Sequence, residues 1–366
     1  MKFVFASYIR SDGYKGPQDW LQRLAAYLGV LESLAVDNEV ISIEQTGHDE
    51  QITQNGVQYH FINFGRRRIS YFPSRLHRFI KSQDPDVVLI HGTSFPWQVI
   101  QLRRHLGKGV KIIVQNHNNT LPGGLKKLLY PIADRSIDAY FFASASMADE
   151  WIKHKLIGGA EKLREVMVGS SVFERVDKLV AKEHLGLSPG PMYLWVGNLD
   201  QNKDPLTVIR AFRKFAKSER EVKLYMIYQD EKLLNDIVEE LSSGPASGNI
   251  ILVGGKPHHE LGHWFNAADF FISGSHCEVF GAAAVEAMSC DCIPLLTDIP
   301  SFQKITANGS CGFLYPVGDE RALSGLLGIA KRIDRGEFIG RIRAQFETEL
   351  SFSAIARRIQ HICAEL

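Results

Sequence analysis

Short apolar runs alternate regularly with longer amphipathic stretches along this chain, and this alternation limits the folds that it can adopt. The apolar runs are rich in Val, Ile and Phe and show little polar alternation, as expected of parallel strands that are covered on both faces. Strands that alternate with helices are typical of α/β folds. In the first half, strands are predicted at Lys2–Ala6, Glu39–Ile43, Val57–Ile62, Val87–His91, Lys111–Gln115, Ala139–Ala143 and Glu165–Val168.

The alternation pauses at Ser188–Pro191, where helix and strand are both disfavoured, and then restarts. Because 366 residues exceed the usual size of one hydrophobic core, we predict two Rossmann-like domains, residues 1–175 and 176–350. Residues 351–366 form a last helix with an apolar face. Second-half strands are predicted at Tyr193–Val196, Lys223–Ile227, Ile250–Val253, Phe270–Ser273 and Ile293–Leu296. The predicted helices include Trp20–Leu34, Pro73–Ser82, Phe95–Leu106, Asp204–Ser218, Lys232–Leu241, Glu260–Asn266, Ala282–Ser289, Arg321–Arg335 and Phe352–Leu366.

The composition argues against several classes of protein. A net charge of +1 gives no strong attraction to nucleic acid, so no nucleic-acid partner is expected. The five cysteines form no Cys-x-x-Cys pair, so neither a disulfide framework nor a zinc site is predicted. No apolar run is long enough to span a membrane, and a cytoplasmic location is expected.

The stretch that is most informative about chemistry runs from Ser273 to Met288. An apolar strand passes through a Gly/Ser turn into an Ala-rich helix that begins near Gly281, so that Glu278 precedes the helix and Glu286 lies inside it. The free N–H groups at such a helix start form an anion site, because the helix dipole and the unpaired donors both favour phosphate. The flanking carboxylates are suited to accept hydrogen bonds from sugar hydroxyls. The alternative is a solvated loop Glu and a helix-surface Glu.

Glu278-x7-Glu286, with Phe-Gly after the first Glu and Glu-Ala-Met at the second, resembles the retaining glycosyltransferases of family 4. The resemblance implies that Glu278 contacts the donor sugar and that Glu286 holds the nucleotide ribose. It also implies that the amides of Phe280, Gly281 and Ala282 meet the diphosphate.

The same resemblance implies an α/β GT-B architecture, in which two Rossmann-like domains face each other across a deep cleft. The N-terminal domain would lie on the acceptor side and the C-terminal domain on the nucleotide-sugar donor side. The final helix would cross back to the N-terminal domain.

A second matching segment runs from Trp195 to Phe212, and it is similar to the strand, loop and helix that begin the family's donor domain. Lys203 matches a lysine that supplies positive charge to the leaving diphosphate. Asn198 stands where the family usually has an arginine. Loss of that bidentate donor should weaken diphosphate binding by roughly 1.5–3 kcal/mol unless another cation substitutes.

Three further positions are implied by weaker similarities. Gly255 and Lys256 resemble the family's loop that holds the base through main-chain groups, although a glycine turn that caps a strand is equally consistent with them. His117 follows a predicted buried strand and matches a histidine near the donor; a neutral imidazole there could bond a sugar or acceptor hydroxyl. Gly16 falls in a segment that loosely echoes the family's early glycine-rich loop.

The resemblance implies a hexosyltransferase that needs neither a metal ion nor a cofactor, with the nucleotide-diphosphate sugar as co-substrate. The acceptor hydroxyl, on a glycan, a lipid-linked sugar or a small molecule, would attack from the leaving-group side and retain the anomeric configuration. Asp84-Pro85-Asp86 spells the D-x-D of metal-using transferases, but we interpret it as a strand-entry turn. We interpret His258 and His259 as surface residues.

Two basic clusters, Arg66–Arg68 and Lys126–Lys127, could bring the N-terminal domain to an anionic membrane that carries a lipid-linked acceptor. This interpretation predicts peripheral association with the inner membrane face. The alternative is a pair of solvated loops.

Two other functions are consistent with the sequence. A nucleotide-sugar 2-epimerase shares the two-domain architecture, although Glu278-x7-Glu286 favours transfer. A non-catalytic nucleotide-sugar binding protein is consistent with Asn198. An NAD-dependent oxidoreductase is disfavoured because the chain has no Gly-x-Gly-x-x-Gly loop.

Overall fold

The computed structural model describes residues 1–10, 13–47, 49–65, 70–118, 120–242 and 247–366. Contacts between its elements divide the chain into two compact units. The first unit joins Met1–Ser170 to Phe352–Leu366, and the second unit is Ser171–Ser351. Each unit contains a sheet of parallel strands connected by helices, which confirms the predicted α/β class.

The sheet of the first unit has the strands β1 (Lys2–Arg10), β2 (Glu39–Gln45), β3 (Glu50–Gln54), β4 (Val57–Ile62), β5 (Val87–His91), β6 (Lys111–Gln115), β7 (Ala139–Phe142) and β8 (Leu163–Glu165). Their order is β3-β4-β2-β1-β5-β6-β7-β8. Neighbours are parallel except β3 and β4, which form an edge hairpin. At the centre, Phe5 of β1 pairs with Ser42 of β2 and with Leu89 of β5.

The helices of the first unit that precede the second unit in the chain include α1 (Pro17–Arg23), α2 (Ala25–Leu34), α3 (Ser74–Ser82), α4 (Pro96–Leu106), α5 (Tyr130–Asp134) and α6 (Asp149–Lys153). Short 3-10 helices cover Gly124–Leu129, Ala145–Ala148 and Ala160–Lys162. Buried side chains of the sheet, such as Val88 and Ile112, form a core with Leu76 and Leu102 of the helices.

The second unit has a six-stranded parallel sheet, formed by β9 (Met192–Gly197), β10 (Lys223–Tyr228), β11 (Ile250–Gly254), β12 (Phe270–Ser273), β13 (Ile293–Thr297) and β14 (Phe313–Tyr315). The order is β11-β10-β9-β12-β13-β14. Its helices are α7 (Lys178–His184), α8 (Pro205–Ala216), α9 (Leu234–Ser242), α10 (His258–Ala267), α11 (Ala282–Ser289), α12 (Pro300–Ile305), α13 (Glu320–Ala330) and α14 (Arg335–Gln345). A 3-10 turn covers Ser247–Asn249, and a π-helical turn covers Phe346–Leu350.

The last helix, α15 (Phe352–Glu365), belongs to the first unit and packs on α2. Its buried face carries Ile355, Ile359 and Ile362. A Cβ atom on Gly29 of α2 would lie 2.6 Å from the ring of Phe352, so the close approach of these two helices requires glycine.

Four predicted strands have the observed bounds: Val57–Ile62, Val87–His91, Lys111–Gln115 and Phe270–Ser273. The strand predicted at Glu165–Val168 is wrong, because the observed strand ends at Glu165. The single helix predicted over Trp20–Leu34 is also wrong, since the chain breaks at Leu24 between α1 and α2. No helix in the described part of the chain is long and apolar enough to cross a membrane.

The turn predicted at Asp84-Pro85-Asp86 is confirmed. Asp84 has a φ of 48°, and the carboxylate of Asp86 accepts a hydrogen bond from the backbone N–H of Lys2 at 2.7 Å. β5 then begins at Val87.

Candidate active site

Two loops at the carboxyl ends of neighbouring strands lie side by side in the second unit. The loop after β9 and the loop after β12 are joined by hydrogen bonds from the His276 N–H to the Asn202 carbonyl (2.8 Å) and from the Asn202 amide to the Cys277 carbonyl (3.1 Å). A Cβ atom on Gly274 would lie 2.8 Å from the carbonyl oxygen of Asp204, so this approach requires glycine. The pairing brings residues 75 positions apart into one site.

The loop after β12 is also held from its other side. The hydroxyl of Thr297 at the end of β13 donates to the Ser275 carbonyl at 2.5 Å, and the buried hydroxyl of Tyr315 in β14 donates to the Ser273 carbonyl at 2.9 Å. Each buried donor is therefore satisfied by the loop, and the loop's course is fixed by two adjacent strands.

Lys203 and Glu278 form an ion pair across these loops, from the ammonium Nζ to the carboxylate Oε1. Both side chains are partly buried. The backbone N–H of Lys203 donates to the Asp200 carboxylate at 2.9 Å. Asp204 follows with a φ of 40° and caps α8 by accepting from the Thr207 N–H. Lys203 is thus held by the turn that starts α8, and its charge is directed to Glu278.

Gly281 is the N-cap of α11. Its φ is 70°, which favours glycine, and a Cβ atom there would lie 2.6 Å from the ring of Phe302. The helix begins at Ala282, and the first N–H groups of any helix lack intrahelical acceptors. Glu278 therefore lies just before a helix N-terminus that can bind an anion.

Glu286 lies in the second turn of α11 and is buried. Its Oε1 atom bonds the Nε2 atom of His258 at 2.7 Å, and this hydrogen bond raises the pKa of His258 above its ordinary value. His258 is the first residue of α10, and its ring centroid lies 4.9 Å from that of Phe173. His258 is exposed, as predicted, but its pairing with Glu286 was missed.

The remaining predicted residues of the second unit lie in nearby loops. Gly255 and Lys256 lie between the end of β11 and the start of α10, and Lys256 is two residues before His258. Asn198 directly follows β9 and is exposed, and its carbonyl accepts a hydrogen bond from the Asp200 N–H at 2.8 Å.

In the first unit, His117 follows β6 and belongs to a chain of three aromatic side chains. Its Nε2 atom lies 3.0 Å from Nδ1 of His91, the last residue of β5, and the Nε2 atom of His91 bonds the hydroxyl of Tyr27 in α2. Burial lowers the pKa of His117 to about 4 and that of His91 well below its ordinary value, so both rings are neutral near pH 7. Sequence reasoning singled out His117 but missed its two partners.

Gly16 also belongs to the first unit, where it is the N-cap of α1. Its backbone is extended, and a Cβ atom there would have no neighbour within 4 Å, so nothing local requires glycine.

Two family models match most of the chain. The model described as "Glycosyltransferase Family 4" matches residues 31–161, which include His117. The model described as "Glycosyl transferases group 1" matches residues 177–331, which include Lys203, Glu278 and Glu286.

The chain belongs to glycosyltransferase family 4.

This glycosyltransferase is similar to the GDP-mannose:cellobiosyl-diphosphopolyprenol alpha-mannosyltransferase of Xanthomonas oryzae pv. oryzae. The two are 24% identical over 276 residues, which cover 74% of the chain and 69% of the relative.

Its fold is similar to that of solved glycosyltransferases over the whole chain. A glycosyltransferase from Rickettsia africae has a TM-score of 0.74 at 14% identity, with 98% of that protein covered. Anabaena HepE in complex with UDP has a TM-score of 0.72 at 13% identity, with 100% covered. Sucrose-phosphate synthase from Thermosynechococcus elongatus has a TM-score of 0.72 at 15% identity, with 99% covered. The predicted GT-B fold is confirmed.

Proposed function

We propose that this glycosyltransferase transfers a sugar from a nucleotide-diphosphate sugar to an acceptor hydroxyl and retains the anomeric configuration. The observation that carries the proposal is the Lys203–Glu278 ion pair immediately before the N-terminus of α11, with the buried Glu286 in the second turn of that helix. A cation, a set of unpaired amides and two carboxylates are thus assembled within the second unit, which we propose as the donor side.

Each group then has a chemical role. A diphosphate at the start of α11 would meet the amides of Phe280, Gly281 and Ala282, and it would give Lys203 a second anionic partner. Glu278 would accept hydrogen bonds from the donor sugar, and Glu286 from the ribose hydroxyls. Gly255 and Lys256 would meet the base through main-chain groups. Negative charge that grows on the leaving phosphate is stabilised by Lys203 and by the helix amides.

The reaction needs no carboxylate nucleophile. The acceptor oxygen bonds the anomeric carbon on the side from which the phosphate leaves, and the acceptor proton passes to a departing phosphate oxygen. His117 of the first unit, neutral at pH 7, would bond a sugar or acceptor hydroxyl. Because Lys203 and the helix supply the positive potential, we propose that the reaction needs no metal ion, and that EDTA leaves the rate unchanged.

We propose a glycan or lipid-linked acceptor, bound on the side of the first unit, and a role in polysaccharide biosynthesis. The Xanthomonas relative is named for an acceptor in which a sugar is carried on a diphosphopolyprenol. An acceptor of this kind lies in a membrane, so peripheral membrane association is part of the proposal. Of the two basic clusters predicted to support it, Lys126–Lys127 is described by the structure and Arg66–Arg68 lies outside the described residues.

Site variants test the proposal. Lys203→Ala should lower kcat by about a hundredfold or more, because one charge stabiliser of the leaving group is removed. Glu286→Gln should raise the Kd of the nucleotide-sugar donor about tenfold or more, because a hydrogen bond to a charged group is lost. Steady-state kinetics and calorimetry with a panel of nucleotide sugars provide both measurements.

The matched control is Lys232→Ala, an exposed lysine of the same unit that pairs with Asp230 at 2.8 Å. It should leave both constants unchanged. Wild-type kinetics in both site variants would contradict the proposal. A donor that is converted without any acceptor would instead indicate an epimerase. Donor binding without release of a nucleoside diphosphate would indicate a non-catalytic binding protein.

A further inference from the structure

Positive charge is concentrated in one segment of the sequence. Residues 51–133 contain twelve Lys and Arg residues and only two acidic residues, Asp84 and Asp86. This segment therefore carries a net charge of +10, whereas the whole chain carries +1. No Asp or Glu occurs at all between positions 87 and 133. Part of this charge is used inside the unit, because Arg103 pairs with Asp138 and the ammonium of Lys111 donates to the Cys363 carbonyl. The exposed basic residues of the segment attract an anionic surface over about one Debye length.

Within this segment, one helical surface is apolar where solvent reaches it. The 3-10 helix Gly124–Leu129 runs directly into α5, and Leu125, Leu128 and Ile132 follow each other at intervals of three and four residues, so they share one face. They are 85%, 71% and 50% exposed. Tyr130 and Ala133 on the other face are buried. The exposed face of this helical segment thus carries two leucines and one isoleucine, where a surface helix usually carries polar residues.

A second pair of exposed apolar residues lies against α4. Tyr71 and Phe72 are 66% and 67% exposed and precede α3. The Tyr71 carbonyl accepts hydrogen bonds from the Trp97 indole and the Gln101 amide, both at 3.0 Å, in the first half of α4.

The 3-10 helix Gly124–Leu129 lies near the start of α4. The ammonium of Lys126 lies 5.9 Å from the ring centroid of Phe95, the N-cap of α4. We call the five exposed residues the apolar patch: Tyr71, Phe72, Leu125, Leu128 and Ile132.

Basic side chains are interleaved with the apolar patch. Lys126 and Lys127 lie between Leu125 and Leu128, and Arg75 and Arg78, both exposed, follow Phe72 in α3. Lysine and arginine can extend along an apolar surface and place their charges at the level of lipid phosphates. Aromatic and leucine side chains beside basic residues are the composition of surfaces that lie in the headgroup region of a bilayer.

We propose that the apolar patch and its flanking basic residues dock on an anionic lipid bilayer, with Leu125, Leu128 and Ile132 inserted among the lipid chains. This site deepens the membrane association proposed above, and it does not depend on the identity of the sugar donor. A lipid surface fits better than a protein partner, because basic residues alternate in sequence with the exposed apolar ones and residues 87–133 contain no carboxylate to oppose the phosphates.

The test uses the full chain with two kinds of vesicle, one of phosphatidylcholine alone and one of equal parts phosphatidylcholine and phosphatidylglycerol. Wild-type protein should cosediment with the anionic vesicles and not with the neutral ones. The double variant L125E/L128E should lose about tenfold or more of this binding, because two inserting side chains become anionic. K126E/K127E should lose a similar share.

The matched control is Val36→Glu, which adds one acidic group at an apolar position that is 78% exposed in the same unit, in the turn after α2. It should bind vesicles as the wild type does. Thermal stabilisation by nucleotide sugars should be unchanged in L125E/L128E, which separates failure of this proposal from failure of the proposed donor chemistry.

Equal vesicle binding by wild type and L125E/L128E would overturn the proposal, and so would binding by neither protein. Self-association of the wild type in sedimentation velocity that L125E/L128E abolishes, without any vesicle binding, would also overturn it and identify the patch as a protein interface.

Discussion

The chain of Tyr27, His91 and His117 determines which ring nitrogen of His117 can reach a ligand. The Nε2 atom of His117 is occupied by His91, so Nδ1 is the nitrogen left for another partner. Because burial keeps the pKa of His117 at about 4, the ring stays neutral at physiological pH and carries one proton. A neutral ring with a fixed partner can orient a hydroxyl without placing a charge beside it.

We expect His117→Ala to lower kcat/KM about fivefold to tenfold, the loss expected for one neutral hydrogen bond. The wild-type rate should show no inflection from this histidine between pH 5 and pH 8, since its pKa lies below that window. A pH–rate profile of both proteins provides the measurement. His361→Ala, an exposed histidine of α15, is the control and should match the wild type. An inflection near pH 6.5 that disappears in His117→Ala would contradict the argument.

Part of the candidate site could be predicted from sequence because its signals are local. Glu278, Gly281 and Glu286 lie within nine consecutive residues, and the strand–turn–helix pattern places them without knowledge of the fold. His258 could not be assigned to Glu286 in this way, since 28 residues separate the two and only the packing of α10 beside α11 brings them together. Tyr27 and His91 were missed for the same reason, being 64 residues apart.

The start of α11 depends on a glycine for two independent reasons. We expect Gly281→Ala to lower the free energy of unfolding by about 2–4 kcal/mol, since alanine resists a positive φ and its Cβ atom would press on Phe302. The displaced helix start should also weaken the binding of nucleoside diphosphates. Urea unfolding and calorimetry provide the measurements.

Gly325→Ala is the control for that variant. Gly325 is an exposed residue inside α13 without a positive φ, and a Cβ atom added there would have no neighbour within 4 Å. Alanine should therefore stabilise the helix by about 0.5–1 kcal/mol. If Gly281→Ala were as stable as this control, the proposed strain at the N-cap would be wrong.

The elements that could be predicted are those whose burial leaves a continuous apolar run, such as β5 and β6. The edge strand β3 was missed because its residues Glu50–Gln54 are mostly polar, although Asn55-Gly56 has the positive φ values of a two-residue hairpin turn. The predicted helix Arg321–Arg335 was correct as far as Ala330 but was drawn too long, because Asp334 accepts from the Gly336 N–H at 2.9 Å and starts a new helix, α14. Side-chain capping of this kind overrides a periodic pattern.

The first unit contains buried titratable groups with opposite effects on stability. Burial lowers the pKa of His117 to about 4 and that of His77 to about 3, and it holds the pKa of His91 well below its ordinary value. Below about pH 6.5 the unfolded chain binds protons that these folded rings do not bind, so acid favours unfolding. Burial raises the pKa of Glu44 to about 8, so the folded state keeps a proton that the unfolded state releases above about pH 4.5.

We therefore expect the stability of the first unit to be greatest near pH 6.5. Three histidines outweigh one glutamate on the acid side, where stability should fall by about 2–3 kcal/mol per pH unit. On the alkaline side only Glu44 acts, and stability should fall gently up to about pH 8. Hydrogen exchange of peptides from the first unit, measured against pH, provides the test. Glu44→Gln should remove the alkaline decline and keep the acid one; an unchanged alkaline decline would contradict the assignment.

The route of the backbone has a consequence for how the protein is made. Because α15 supplies part of the first unit, a ribosome must finish all of Ser171–Ser351 before the segment that packs on α2 emerges. The second unit is continuous in sequence, so it can fold completely before the last helix is made. Until then, the surface of α2 beside Gly29 in the first unit stays uncovered. A nascent chain that stalls short of Phe352 would thus carry a finished second unit and an unfinished first unit, and it would expose the surface of α2 beside Gly29 to chaperones and proteases.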